Sequence, residues 1–183
     1  MPQTDDGWTV EYVLDTDNLI AQVGGDWDGF ARRNDAPELC GASVVGRPVL
    51  DFISGKVTRA YLLKLLDRVS EEGIPIELDY RCDSPATRRF MRMRISRRED
   101  GGVLFQNRTL REESRAVAVH FYRPAERMRG SFVRCSMCNH IQVEGRWGEA
   151  ESLLALRELR KGVAVIYGIC QECQQKIGLE AAK

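Results

Sequence analysis

The sequence predicts an α+β fold, in which helices cover an antiparallel sheet and a small metal-binding module follows. Two blocks of period-two alternation frame a single long helical stripe, and two Cys-x-x-Cys pairs stand near the C-terminus. The chain has 183 residues, 43% hydrophobic and 30% charged, which suffices for one ordinary core and a smaller appendage.

Residues 8–14 (WTVEYVL) and 18–23 (NLIAQV) read as two short strands around Asp15-Thr16-Asp17-Asn18, a turn composition whose side chains bond their own backbone. Residues 26–34 follow as a short helical turn, stopped by Asp35-Ala36-Pro37. A connector then runs to Gly46-Arg47-Pro48. From Lys56 to Glu72, Val57, Tyr61, Leu62, Leu65, Leu66 and Val69 recur at helical steps, and Gly73 ends the helix with a left-handed cap.

The period then switches to two. Ile76, Leu78, Tyr80 and Cys82 alternate with charged residues, and Met91, Met93 and Ile95 resume the alternation after Asp83-Ser84-Pro85-Ala86. With Ser84-Pro85 as the tip, Leu78 would face Met91, Ile76 would face Met93 and Glu77 would face Arg92. A last strand, residues 103–110, follows the turn at Glu99-Asp100-Gly101-Gly102.

Charge is unevenly spread under a net charge of zero: residues 1–85 carry 8 Lys/Arg against 16 Asp/Glu, residues 86–134 carry 13 against 5, and the rest 6 against 6. A pI near 6.7 argues against a dedicated nucleic-acid binder and for charge pairing within the chain or with a partner. Residues 111–134 show no clean period and carry excess arginine, the composition of a linker. The opening MPQTDDGWTV lacks the marks of a signal peptide, and no apolar run is long enough for a membrane helix, so the expected place is the cytoplasm.

In a reducing compartment six cysteines point to metal or catalysis rather than to disulfides. Cys135, Cys138, Cys170 and Cys173 form two knuckles, which supply four thiolates to a tetrahedral ion in a closed structural site. Zinc fits this ligand set best, iron in a four-thiolate tetrahedron is the alternative, and a thiol redox role with Arg134 as the positive neighbour is a further one. His140 is a substitute ligand only if a cysteine is displaced. Trp147, Ala150, Leu153, Leu154 and Leu159 predict one helix of about 22 Å between the knuckles at 1.5 Å per residue, and residues 163–169 predict a strand returning to the second. Cys40 and Cys82 read as small buried hydrophobes.

Asp15, Asn18 to Ile20, Trp27 to Asn34, the run Gly46-Arg47-Pro48-Val49-Leu50-Asp51-Phe52-Ile53 and the closing three strands together resemble the PAS domain, the five-stranded sensor fold of bacterial signalling proteins. Cys135-Ser136-Met137-Cys138-Asn139-His140-Ile141, Trp147, Glu149, Glu151 and Tyr167-Gly168-Ile169-Cys170-Gln171-Glu172-Cys173 resemble a small cysteine module appended to such domains. The resemblance implies a five-stranded antiparallel sheet with helices on one face, divided as a sensor domain over 1–112, an Arg-rich linker over 113–133 and a zinc module over 134–183. It also implies a ligand pocket, for which Trp27, Phe30, Phe52, Tyr61, Tyr80 and Met91 are the candidates; core packing is the competing account of the same side chains. The chain lacks the family's flavin-binding Asn-Cys-Arg-Phe motif and has no histidine in residues 1–110 for a haem, so the ligand is unnamed and the pocket could have none.

Arg81, Arg88, Arg92 and Arg94 are candidates for an exposed basic sheet face that meets a partner. The expected function is a non-catalytic sensor in signal transduction, working through a protein partner or a homodimer, with no catalytic residue assigned. Alternatives are a transcriptional regulator that contacts nucleic acid through the zinc module and the basic segment, and a thiol redox protein. No nucleophile elbow, phosphate-binding glycine loop or dinucleotide fingerprint is present.

Overall fold

In the computed structural model, residues 9–34, 36–124 and 130–176 are described. Trp8, Asp35, residues 125–129 of the expected linker and residues 177–183 of the expected module lie outside them. Ten strands and six α-helices are assigned among the described residues. The chain divides into two units, one of residues 1–53, 62–79 and 91–111, the other of residues 54–61, 80–90 and 112–183.

The first unit begins with the expected hairpin, β1 (Val10–Leu14) and β2 (Ile20–Gly25). Its turn is set by Asp15, whose carboxylate accepts the N–H groups of Asp17 and Leu19, both at 2.9 Å, while Asn18 takes the left-handed conformation at φ 61°. Helix α1 (Trp27–Arg33) follows, then a short 3-10 turn, α2 (Gly41–Val44) and a second 3-10 turn at Val49–Phe52. Helix α3 (Lys56–Glu72) has the predicted bounds and ends at Gly73, which sits at φ 67°. Strands β3 (Ile76–Arg81), β4 (Thr87–Arg97) and β5 (Val103–Ser114) complete a five-stranded sheet in the order β2-β1-β5-β4-β3.

Apolar alternation fills this sheet's core with Val10, Leu14, Ile20, Val103 and Phe105, all buried. Tyr12 stacks on Phe105 with ring centroids 4.5 Å apart and meets the edge of Trp27 at 5.8 Å, while the Trp27 indole N–H donates to the Leu39 carbonyl at 2.8 Å. Pairing of Ser84 with Thr87 puts Pro85 and Ala86 at the tip of the β3–β4 hairpin. That displaces the expected register by two residues: Arg92 bonds Asp79, at 2.6 and 3.0 Å, and not Glu77. Proline explains the shift, because Pro85 fits the second position of a turn and is disfavoured at the third, where the expected tip would have put it.

The second unit carries its own sheet, β6 (Phe121–Tyr122), β10 (Val163–Gly168), β7 (Phe132–Cys135), β8 (Ile141–Val143) and β9 (Arg146–Gly148), in that order across the sheet. Strand β10 runs parallel to β6 and β7, and β7, β8 and β9 pair antiparallel. Its core is Val119, Ile141, Ala150, Leu159, Val163 and Val165.

Part of the expected linker is woven into this unit. Arg115 N–H donates to the Ala86 carbonyl at 2.8 Å, Val119 N–H donates to the Pro85 carbonyl at 2.9 Å, and Val119 is 1% exposed. The single helix expected over 147–161 is also replaced. Trp147 lies in β9, and the rest forms α4 (Ala150–Leu153) and α5 (Leu156–Lys161), separated by Leu154 and Ala155 in extended conformation. The break is held open by Glu158, whose carboxylate accepts the Ala155 N–H at 2.9 Å and so starts a new helix. A last helix, α6, spans Gln171–Lys176. No helix among the described residues is long and apolar enough to cross a membrane.

Candidate metal centre

Two adjacent strand ends bring the four cysteines together. Strand β7 delivers Cys135 beside Gly168 of the parallel strand β10, and the Ser136 N–H donates to the Gly168 carbonyl at 2.8 Å. Gly168 leaves room for this approach, since a Cβ there would lie 3.1 Å from Val133 Cγ1. After Cys135 the chain turns back within five residues: the Asn139 N–H donates to the Cys135 carbonyl at 3.0 Å and the Cys135 N–H to the His140 carbonyl at 2.8 Å. Asn139 makes the reversal possible at φ 61°, a conformation asparagine tolerates better than most residues. Beyond β10, Ile169 leads into Cys170 and then into α6, which carries Cys173.

The four sulfur atoms lie within 4.8 Å of one another. Four thiolates around a tetrahedral ion at about 2.3 Å place neighbouring sulfurs about 3.8 Å apart, and the Cys138 and Cys170 sulfurs are 3.7 Å apart. That separation is nearly double a disulfide bond of about 2.0 Å. Cys135, Cys170 and Cys173 are buried and Cys138 is half-buried, so the set is closed on most sides. Backbone donors point inward: the Cys170 N–H lies 3.4 Å from the Cys135 sulfur.

Electrostatics make the same demand. Hydrogen bonds from the Cys138 and Cys173 thiols hold the Cys135 thiol far below its ordinary range, aided by the backbone N–H groups of Cys138 and Cys170. The Cys135 thiolate in turn pushes Cys138 up to about 12 and, together with Cys138, drives Cys173 higher still. A thiolate at Cys135 thus opposes ionisation of Cys138 and Cys173 beside it. Further ionisation requires a cation among the sulfurs, so the donor set fits a thiolate-bound metal ion.

The other residues singled out in the sequence occupy different positions. His140 is not among the four donors; its imidazole Nε2 is 3.5 Å from a Glu149 oxygen. Arg134 does not serve the thiols: its guanidinium lies 4.0 Å from the Phe121 ring centroid, and burial outweighs its contact with Tyr167 and lowers its basicity. Cys40 and Cys82 are half-buried outside the cluster, and burial pushes the Cys82 thiol up.

Of the six aromatic and methionine candidates for a pocket, Trp27, Phe30, Phe52 and Met91 fall in the first unit and Tyr61 and Tyr80 in the second. Met91 and Tyr61 are buried, while the other four are half-buried.

The four arginines do not form one exposed basic face. Arg92 pairs with Asp79, which its hydrogen bond holds below the usual carboxylate range, and Arg94 is half-buried. Arg81 is only 7% exposed and Arg88 is half-buried, and both are committed to carboxylates of the second unit.

That commitment is the feature sequence reading missed. Asp83 accepts from Arg81 Nη2 and from Arg115 Nη2, both at 2.5 Å, and from the Arg89 N–H at 3.0 Å. Arg115 also bonds Glu151 at 2.5 Å, Arg88 reaches Glu151 at 3.0 Å, and Arg81 closes the network on Glu149. Three guanidiniums thus meet three carboxylates. A local signal existed, since Glu149 and Glu151 follow the first knuckle closely, but pairing over 60 positions of chain has no period to betray it. The knuckle is bonded to the same hairpin: Arg81 N–H donates to the Met137 carbonyl at 2.7 Å, and the Asn139 side-chain amide donates to the Arg81 carbonyl at 3.2 Å.

Comparison with known protein families found no family model that matches the chain, and comparison with curated proteins found no match.

Proposed function

We propose that the protein is a non-catalytic signalling module, in which a PAS-like sensor domain is joined to a structural zinc site that presents a rigid surface to a protein partner. The observation that carries this reading is the closed four-thiolate cluster of tetrahedral size. All four positions are filled by protein, which leaves no open place for a substrate or an activated water. Zinc is preferred over iron on ligand preference. The sensor half is supported by a five-stranded antiparallel sheet that joins an N-terminal hairpin to a three-strand block, with the helices between them in sequence. Inward pairing of Arg81, Arg88 and Arg115 argues against the nucleic-acid alternative, because those charges are unavailable to phosphate.

Elemental analysis of the purified protein, with a thiol count before and after chelation, tests the metal. One zinc per chain and four thiols freed by chelation is the expected result; a metal-free protein or a coloured iron centre would overturn the zinc assignment. Native mass spectrometry and analytical ultracentrifugation test the sensor half, which predicts a bound small molecule or a homodimer. A ligand-free monomer under all conditions would sink it.

A further inference from the structure

The start of α3 belongs to the unit that holds the cysteines. Gly55, at φ 89°, leads into the helix so close to β10 that a Cβ there would lie 2.7 Å from the Tyr167 carbonyl. One turn in, the Thr58 hydroxyl is 2.7 Å from the hydroxyl of Ser136, which stands inside the first knuckle. Tyr61, three residues further, shares that face of the helix. It is 5% exposed, and its hydroxyl is buried without a hydrogen-bond partner among the described residues.

A buried phenolic hydroxyl without an acceptor costs about 1–3 kcal/mol. The nearby acceptor chemistry is sulfur: burial chiefly raises the Tyr61 hydroxyl, and negative charge on the Cys173 sulfur raises it further. As a neutral thiol Cys173 is a weak acceptor, whereas a metal-bound thiolate offers lone pairs. We infer that Tyr61 is a positioning residue of the metal site, its hydroxyl donating a hydrogen bond to the Cys173 thiolate once the ion is bound. The inference rests on the metal reading above. It gives the ion a direct tie to α3, so that loading the site fixes the helix's first two turns as well as the two knuckles.

Tyr61→Phe keeps the ring and removes only the donor; Tyr61→Leu removes both. Zinc affinity is measured by competition with a chromophoric chelator, and the thiolate-to-metal charge-transfer band is recorded for the cobalt-loaded proteins. Tyr61→Phe is expected to weaken zinc binding roughly tenfold, as loss of an outer hydrogen bond does, and to move the cobalt band to lower energy because the sulfur lone pair loses its donor. An unchanged band overturns the inference, whatever the affinity, since lost packing alone accounts for weaker binding. Equal behaviour of the Phe and Leu variants in affinity, each with the wild-type band, overturns it in the same way. A wild-type protein that takes up neither metal removes the metal reading and this inference with it.

Discussion

Arg115 and Asp83 are each 1% exposed at the side chain and lie 2.5 Å apart, an ion pair shut away from water. Such a pair is no proof of net stability, since desolvating two charges costs several kcal/mol. Its members are nonetheless dependent on each other. Replacing Asp83 with alanine removes the carboxylate that Arg81 and Arg115 share and leaves them only Glu149 and Glu151, and the expected loss is about 3 kcal/mol of unfolding free energy, the lower end for breaking a buried pair. Urea titration of the metal-loaded protein measures it. A change under about 1 kcal/mol, the size of a surface pair, would mean that the network is far more hydrated than its burial implies.

The same network predicts an acid response. Burial works against the Glu149 charge, but hydrogen bonds from His140 and Arg81 and the fields of Arg81 and Arg88 outweigh it and hold the carboxyl at about 2, below its ordinary 4.5. Because the folded value is the lower one, the stabilisation is present in full above pH 4.5 and is lost as pH falls through 2. Its size is at most about 3 kcal/mol, from 1.36 kcal/mol per unit. Urea midpoints between pH 6 and 3 should fall more steeply for the wild type than for Glu149→Gln. Parallel curves would show that Glu149 is not the group responsible.

Metal removal should act on the second unit as a whole. Its sheet is short-stranded, and the two knuckles terminate β7 and β10, the strands that pair in parallel at its centre. Thiolate-bound zinc contributes on the order of 10 kcal/mol to folding of small modules. Cys170→Ala, which leaves three ligands, is therefore expected to lose metal and to expose Val119, Ile141 and Val165 to hydrogen exchange. Chelation of the wild type should do the same. Persistent protection of the Val165 amide without metal would show that the core of this unit stands by itself.

What was legible in the sequence depended on whether the signal was local. Periodicity marked α3 to the residue, because its stripe of Leu65, Leu66 and Val69 is uninterrupted and Gly73 stops it. Spacing marked the four cysteines, whose chemistry leaves few other uses for two Cys-x-x-Cys pairs. Register in the β3–β4 hairpin was misplaced by two residues, since apolar and charged partners match almost as well in either alignment and only the proline in the turn decides. The helix expected over 147–161 failed on a side-chain contact: Glu158 captures a backbone N–H that a continuous helix would have used. Arg81 and Arg88 looked like surface residues because nothing in a strand pattern announces a carboxylate placed opposite by distant chain.

Asn139 offers the most discriminating test of how the knuckle is held. It has two separate duties, a left-handed backbone at φ 61° and a side-chain amide that donates to the Arg81 carbonyl at 3.2 Å. Asn139→Gly keeps the backbone free to adopt that conformation and removes only the hydrogen bond, at a cost of about 1 kcal/mol. Asn139→Ala removes the bond and adds the strain of a Cβ in the left-handed region, about 1–2 kcal/mol more. The alanine variant should therefore be the less stable of the two in urea unfolding of the metal-loaded protein, and its zinc should be released faster to a chelator. If glycine and alanine cost the same, the turn is not strained at this position and the amide bond to Arg81 alone gives Asn139 its importance. If neither costs anything, the knuckle is held by the metal and by the Met137 carbonyl, which still receives the Arg81 N–H at 2.7 Å.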